Sequence, residues 1–173
     1  MKDIYVKFDG TELAGDSTDA VHKGQIEATS FSHRITQPKS STASTAGGHT
    51  AERTEHGEIL LTKEIDRATP KAFRACSAGT VYKSCTIYLY RSLGGPVSST
   101  SAGNKRINYL TIELSDVILS SMSTEVGGNE LPTETMGLKY GKIVWTYTTS
   151  DTAGAAGQKQ SAVGWDLRNN TAS

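Results

Sequence analysis

Apolar and polar residues alternate along much of this chain, which is the period of a β-strand with one buried face. In the first segment Ile4, Val6 and Phe8 share one face, and Tyr5 and Lys7 lie on the other. The same period continues in five later segments, which are enriched in β-branched and aromatic residues. We therefore predict a mainly β fold, a mostly antiparallel barrel or sandwich. Its strands are expected at residues 4–8, 21–35, 58–65, 81–90, 106–121 and 135–149.

The predicted strand at residues 81–90 has two distinct faces. Its apolar face carries Val81, Cys85, Ile87 and Leu89, and its other face carries Tyr82, Thr86, Tyr88 and Tyr90. A row of aromatic rings can stack nucleic-acid bases. We interpret this row instead as core or subunit-interface packing, because the chain lacks the basic excess that a nucleic-acid groove needs.

One short helix is predicted at residues 69–78, and it has signals at both ends. Thr69 is expected to cap the free amides, and Pro70 suits the first helical position because its missing N–H needs no partner there. Gly79 can adopt the left-handed conformation that ends a helix. Asp66 precedes the cap, and we expect it to form a turn or to stabilise the helix N-terminus rather than to act in catalysis.

The chain has 173 residues, which fits one domain spanning residues 1–173. Residues 37–57 are predicted to form a long loop, since they are poor in apolar residues and rich in Ser, Thr, Ala, Gly and charge. Loops beyond about 12–15 residues are uncommon in compact domains and are usually functional or disordered. Residues 150–173 are predicted to be a C-terminal tail that packs back on the domain through Trp165.

Positive and negative charges balance, since Lys and Arg number 18 and Asp and Glu also number 18. A duplex-binding protein or a polybasic membrane anchor would carry a basic excess, so we expect neither nucleic acid nor a membrane anchor. No apolar run approaches the ~20 residues that span a bilayer. The N-terminal segment alternates in polarity, so we expect a protein that is made in the cytoplasm and exported, if at all, without a cleaved signal peptide.

Motifs for catalysis and cofactor binding are not found in the sequence. No G-x-G-x-x-G and no G-x-S-x-G motif occurs. His49, Glu52, Glu55 and His56 lie close together, but their order is not that of a zinc-binding helix. We interpret these four residues as loop or interface residues, and we predict no metal, no cofactor and no enzymatic activity.

Several motifs, taken in their order along the chain, resemble those of one known family. They are His22–Glu27, Phe31–His33, Ile65–Pro70, Ala75–Gly79, Val117–Ser121, Glu134 with Leu138–Tyr140, and Gly164–Leu167. With this ordered set the chain resembles the Hcp (haemolysin co-regulated protein) family of bacterial type VI secretion systems. The likeness extends over almost the whole chain, and residues 37–53 look like a loop found in some members.

The resemblance implies a compact antiparallel β-barrel of two sheets with the helix at its side. It also implies that six copies close into a hexameric ring, and that stacked rings form the inner tube of a contractile injection machine. The expected partners are other copies of the chain, a spike protein at the tube tip, the contractile sheath and small effector proteins in the lumen. The protein would be secreted through this apparatus and would act structurally, not as an enzyme.

The long loop is the best candidate for contacts between stacked rings. Its mixed charges would give complementary polar contacts that are sensitive to salt and weaker than the contacts within a ring. The candidate ring-stacking and subunit-contact residues are Lys39, Ser40, His49, Glu52, Arg53 and Glu55.

Two other interpretations stay open on the sequence. The first is a soluble β-barrel carbohydrate- or peptide-binding module with an aromatic pocket built from Trp145, Trp165 or the tyrosines. The second and weaker one is a small hydrolase that uses His49 or His56 with a nearby serine or carboxylate. The mass in solution separates the binding module, a monomer, from a closed ring of identical subunits.

Overall fold

The computed structural model describes most of the chain. The described residues are 3–10, 12–38, 53–92, 106–127, 131–150, 156–159 and 162–173. The strands of their first half are β1 (Ile4–Phe8), β2 (Ile26–Ala28), β3 (Ser30–Ser32), β4 (Ile35–Thr36), β5 (Glu55–His56) and β6 (Ile59–Glu64). The helix α1 (Thr69–Ala78) follows. The later strands are β7 (Val81–Ser92), β8 (Arg106–Glu125), β9 (Thr133–Lys139), β10 (Lys142–Ser150), β11 (Ala156–Lys159), β12 (Val163–Asp166) and β13 (Thr171–Ala172).

Most of these strands form one large antiparallel sheet. Its main path runs β13–β12–β10–β8–β7–β1–β2, and β9, β6, β3 and β11 branch from it. Among the described residues, the strands β4 and β5 pair only with each other and form a separate two-stranded ribbon. The mainly β, antiparallel fold with one short helix is therefore confirmed. The expected division into two sheets of a barrel is corrected, because the ladders in the described ranges form one branched sheet that does not close on itself.

The strand β8 connects the two halves of the sheet. It pairs with β7 on one edge and with β10 and then β9 along the other. Its buried side chains change parity along the strand, since Ile112 and Leu114 face the core before Asp116, and Val117 and Leu119 face it afterwards. Asp116 has a φ of 52°, a backbone conformation that non-glycine residues seldom adopt. One bent strand therefore supplies core residues to both halves of the sheet.

Two of the predicted strands are interrupted in the structure. The segment predicted at 135–149 consists of β9 and β10 in line along one edge of β8, interrupted at Tyr140 and Gly141. The segment predicted at 21–35 is divided, because β2 pairs with β1 whereas β3 pairs with β6. The strand β8 also runs further than predicted, to Glu125.

The predicted faces of β7 are correct from Cys85 onward and wrong at its start. Tyr82 is buried and packs edge-on against Phe8, with ring centroids 5.1 Å apart, whereas Val81 is exposed. The pairing of β7 with β8 passes the bend at Asp116 here, so the alternation changes phase on both strands. Tyr82 therefore does not share a face with Tyr88 and Tyr90.

The core is enclosed by the inner faces of the sheet and by one side of α1. The helix contributes only small side chains, Ala72 and Ala75, which allow its backbone to approach the sheet closely. The largest apolar side chains that are almost completely buried are Val6, Ile26, Ile59, Leu61, Ile87, Ile112, Leu114, Met136, Leu138 and Ile143. They come from seven strands, so the core depends on contacts between segments that are distant in sequence.

Candidate functional site

The predicted ring-stacking residues lie between β4 and the end of β5, the two strands of the ribbon. Lys39, Ser40, His49 and Glu52 lie outside the described residues. Arg53 precedes β5, Glu55 pairs with Thr36 in the ribbon, and both of these charged residues are exposed. The structure thus places Arg53 and Glu55 at the root of the long loop, on the surface, and their role in stacking stays a prediction.

One tyrosine fixes the root of the ribbon to the sheet. The Tyr140 hydroxyl lies 2.8 Å from Nε2 of His33 and 2.9 Å from Nδ1 of His56. A phenol donates one proton and can accept others, so with neutral rings one imidazole accepts from Tyr140 and the other donates to it. Tyr140 is buried, and its two hydrogen bonds set where the ribbon leaves the sheet.

These three side chains have shifted pKa values. Burial lowers the pKa of His33 and His56, and the neighbouring His56 lowers that of His33 further. Burial also raises the pKa of Tyr140. The cluster is therefore uncharged at neutral pH, the state in which no like-charge repulsion opposes its hydrogen bonds. No local sequence pattern indicates this cluster, because Tyr140 is 84 and 107 residues away from its partners.

A buried charged cluster holds the helix to the sheet. Lys63 is fully buried, and its Nζ lies 2.6 Å from Oε1 of Glu134 and 2.8 Å from Oδ1 of Asp66. The Thr69 hydroxyl donates to Oε1 of Glu134 at 2.9 Å and accepts the backbone N–H of Asp66 at 3.1 Å. A buried charge is tolerated only when it is paired and hydrogen-bonded. The cluster therefore joins β6, β9 and the start of α1, and its role is structural.

The start of α1 differs from the sequence-based expectation. Thr69 is the first helical residue, and among the described residues no side-chain hydrogen bond caps the helix. The expected capping role of Thr69 is therefore corrected: its hydroxyl belongs to the buried cluster. Asp66 forms the preceding turn, where its Oδ1 accepts the Ala68 N–H at 2.9 Å. Pro70 lies in the first turn, and Gly79 follows the helix with a φ of 63°.

A second polar cluster fixes the segment between β1 and β2 to the outer face of the sheet. The Arg106 guanidinium donates to Asp3 at 2.9 Å and to the Tyr5 hydroxyl at 2.8 Å. The His22 ring stacks on Tyr5 with centroids 4.4 Å apart, and its Nε2 lies 2.7 Å from the Tyr90 hydroxyl. These groups satisfy one another, so the arrangement explains a scaffold role for His22.

The outer face of the β3–β6–β9–β8 part of the sheet is lined with hydroxyl groups. Ser30 pairs with Thr62, Thr62 with Thr135, and Thr135 with Ser123. Residues directly opposite one another on paired strands point to the same side. One row of four hydroxyl-bearing side chains therefore crosses four strands, on the side of the sheet that faces away from the core. This row is polar and uncharged, and on the same face it is flanked by the exposed Leu60 on one side and by Glu64 and Glu125 on the other.

The β10–β12 part of the sheet, which we call the wing, extends the apolar inner face beyond the core. Ile143 is buried and pairs with Trp165, and Trp145 pairs with Val163. Val163 is 62% exposed and Tyr147 is 44% exposed, whereas the two tryptophans are only partly covered. An apolar sheet face that continues past the core is typical of a contact surface for another protein.

The described ranges contain neither a cluster of metal-ligating side chains nor a membrane-spanning helix. No three His, Cys, Asp or Glu side chains are grouped closely enough to hold a metal ion. Within the same ranges, no helix combines the length and the apolar character needed to cross a membrane.

Comparison with known proteins places the chain in one family. The family described as "Type VI secretion system effector, Hcp" matches residues 5–147. The chain is similar to Protein hcp1 of Pseudomonas aeruginosa, with 29% identity over 114 residues, which cover 65% of this chain and 65% of that protein. It is also similar to the Major exported protein of the same organism, with 25% identity over 151 residues that cover 83% of this chain and 81% of that protein.

Solved structures have the same fold. A structure described as that of a type six secretion system protein matches with a TM-score of 0.84, 24% identity and full coverage of both chains. The crystal structure of Hcp1 from Salmonella typhimurium matches with a TM-score of 0.72 and 21% identity, covering 99% of each chain. Neither the related sequences nor the solved structures support the interpretation of the chain as a carbohydrate- or peptide-binding module.

The match to the family model covers most of the chain. The proteins of this family are secreted through the type VI system and form oligomers, and the family is one of structural tube proteins rather than enzymes. This chain therefore belongs to the Hcp family of type VI secretion proteins.

Proposed function

We propose that this chain is the inner-tube subunit of a type VI secretion system and acts by closing into homohexameric rings that stack. The observation that carries the proposal is the uncovered apolar face of the wing. Val163 and Tyr147 continue the plane of the core but are 62% and 44% exposed in the isolated chain. A patch of this kind, met by a different patch on the next copy, gives a head-to-tail contact that closes into a ring.

The hydroxyl-lined face supplies the second surface that a conduit needs. The row formed by Ser30, Thr62, Thr135 and Ser123 offers hydrogen bonds from uncharged hydroxyl groups across four strands. We assign this face to the ring lumen, where small effector proteins would be held weakly and released. Further partners in the proposal are the spike protein at the tube tip and the surrounding contractile sheath. The subunit is made in the cytoplasm and leaves the cell through the apparatus.

The mass of the protein in solution tests the ring. Native mass spectrometry of the wild-type chain is expected to show a closed ring of six subunits. The variant Val163→Lys with Tyr147→Lys should be a folded monomer, because two cations would have to be buried in the subunit contact. The matched control Val21→Lys changes another exposed apolar residue, which is 73% exposed, and should keep the ring. A monomeric wild-type protein would refute the proposal.

A further inference from the structure

We infer that successive rings bind each other through the two ends of the β6–β9 strand pair. The ribbon end is formed by Arg34, Ile35 and Arg53. The acceptor end is formed by Glu64, Ile65, Glu125, Val126 and Leu131. In this arrangement the ribbon end of one ring binds the acceptor end of the next ring. The inference rests on the proposed stacking of rings, and it adds the residues that receive the ribbon.

The two ends lie at opposite termini of the same strands. The ribbon is joined to the start of β6, where the Gly57 N–H donates to the Arg34 carbonyl at 2.9 Å. The acceptor end lies after the last residue of β6, where the Ile65 N–H donates to the Pro132 carbonyl at 3.3 Å. A six-residue strand separates two such points by about 17–20 Å. Copies stacked in the same orientation therefore bring the ribbon end of one to the acceptor end of the next.

Both ends expose apolar side chains that a monomer would leave in water. At the acceptor end Val126 is 71%, Leu131 is 68% and Ile65 is 44% exposed. At the ribbon end Ile35 is 43% exposed. Grouped exposed apolar residues with a polar rim mark protein contact surfaces. Among its described residues, the ribbon end exposes a single apolar side chain. This small apolar area suits a small acceptor patch rather than a large permanent subunit interface.

The charges at the two ends are complementary. Glu64 and Glu125 both pair with Thr133, so they flank it on one row across three strands, with backbones about 10 Å apart. Both carboxylates are exposed, and neither forms an ion pair with another described residue. Arg34 and Arg53 at the ribbon end are likewise exposed and form no ion pair within the described part of the chain.

This distribution of charge favours one orientation of stacking. Glu55 offsets one of the two arginines, so the ribbon keeps a net positive charge, whereas the acceptor pair is wholly negative. Head-to-head stacking would place glutamate against glutamate, which is unfavourable. Head-to-tail stacking places arginine against glutamate once per subunit, and the repetition around a ring turns a weak surface pair into a specific contact.

Charge reversal tests the contact. The wild-type protein and three double variants are compared at low salt by native mass spectrometry and electron microscopy. Glu64→Lys with Glu125→Lys should keep hexamers but weaken their stacking by about tenfold or more, and Arg34→Glu with Arg53→Glu should do the same. Mixing these two variants should restore mixed stacks. The control Glu27→Lys with Glu113→Lys makes the same change of net charge at other exposed glutamates and should stack normally.

A crosslinking experiment tests the same contact by covalent capture of stacked rings. Hexamers with Ile35→Cys and hexamers with Leu131→Cys are prepared separately in a Cys76→Ser background, mixed, and treated with a short bis-maleimide. Dimers that contain one chain of each kind are expected, and pairing Ile35→Cys with Val21→Cys hexamers should give far fewer. Equal yields, or no dimers with Leu131→Cys, would overturn the inference.

The outcomes separate this inference from the proposed function. Intact hexamers that stack normally despite reversed acceptor charges refute the acceptor end and leave the tube function standing. Acceptor variants that stack normally but lose binding to a spike protein would assign the surface to the spike, and would also refute the inference. A wild-type chain that forms no hexamer refutes the proposed function itself.

Discussion

The hydroxyl of Tyr140 lies 2.9 Å from Nδ1 of His56, and this contact joins the end of β9 to the ribbon from which the long loop emerges. His33 completes the cluster from the other side of the same hydroxyl. Arg34 and Glu55 line a surface hollow together with His56, so charges of both signs lie close to the cluster. Any change of charge on the two imidazoles is therefore transmitted to the root of the predicted stacking loop.

Acidification is expected to destabilise this cluster. Both histidines have lowered pKa values in the folded protein, chiefly through burial, whereas an unfolded histidine has a pKa of about 6.5. The unfolded chain therefore binds more protons below that pH, and the stabilising contribution, fully present above pH ~6.5, is lost as the pH falls. Urea midpoints at pH 7.5 and 5.5 measure the effect. The variant His33→Gln with His56→Gln should show a flatter pH dependence, and an unchanged dependence would contradict the assignment.

Removing the buried cation should be costly. Lys63→Met leaves Glu134 without its counter-charge in a site where both side chains are buried, and an uncompensated buried charge costs about 3–5 kcal/mol. The double variant Lys63→Met with Glu134→Gln removes both charges and should recover part of the loss. Denaturant unfolding at fixed protein concentration measures both. If the single and double variants were equally unstable, the coupling between Lys63 and Glu134 would be disproved.

The stability of the protein should depend on the backbone conformation allowed at the bend in β8 rather than on the charge there. Asp116 has a φ of 52°, so Asp116→Val should cost about 1–3 kcal/mol. Asp116→Gly should stay within about 0.5 kcal/mol of the wild type, because glycine adopts this conformation readily. Both changes remove the exposed ion pair with Arg168, so their difference isolates the backbone effect. Equal stabilities of the two variants, read from thermal unfolding, would argue against a strained bend.

A close backbone contact at Gly15 should exclude any side chain. A Cβ atom there would lie 2.4 Å from the Gln25 carbonyl oxygen and 2.5 Å from the Ile26 Cα. These are backbone atoms and cannot rotate away, so Gly15→Ala should destabilise the protein by about 2 kcal/mol or more. Gly127→Ala is the matched control, since nothing lies within 4 Å of the position its Cβ would take. If thermal unfolding showed Gly15→Ala to be as stable as Gly127→Ala, the close approach of Gly15 to Gln25 would be contradicted.

Local patterns predicted much of the fold. The alternation of Ile4, Val6 and Phe8 identifies the buried face of β1, and the predicted helix at 69–78 coincides with α1. These features depend on residues close together in the chain, whose conformation the sequence period and the Pro and Gly signals restrict directly. The motifs that indicate the family are likewise short segments of consecutive residues, which can be read directly along the chain.

The breaks in the strands were not predictable in the same way. Tyr140 and Gly141 interrupt a segment that alternates like one strand, and Tyr82 leaves the face that its spacing assigns to it. Both departures occur where β8 bends at Asp116. A bend in one strand changes the register of its neighbours, and the neighbours are far away in the sequence.

The type of each element, the zero net charge and the likeness to one family all follow from the amino-acid sequence. Which charges and hydroxyl groups meet follows only from the folded sheet. Lys63 and Glu134, His56 and Tyr140, and the row from Ser30 to Ser123 all join residues from separate strands. Periodicity restricts a residue to a face, but the partner it meets there depends on strand order and register, which form only when the sheet assembles.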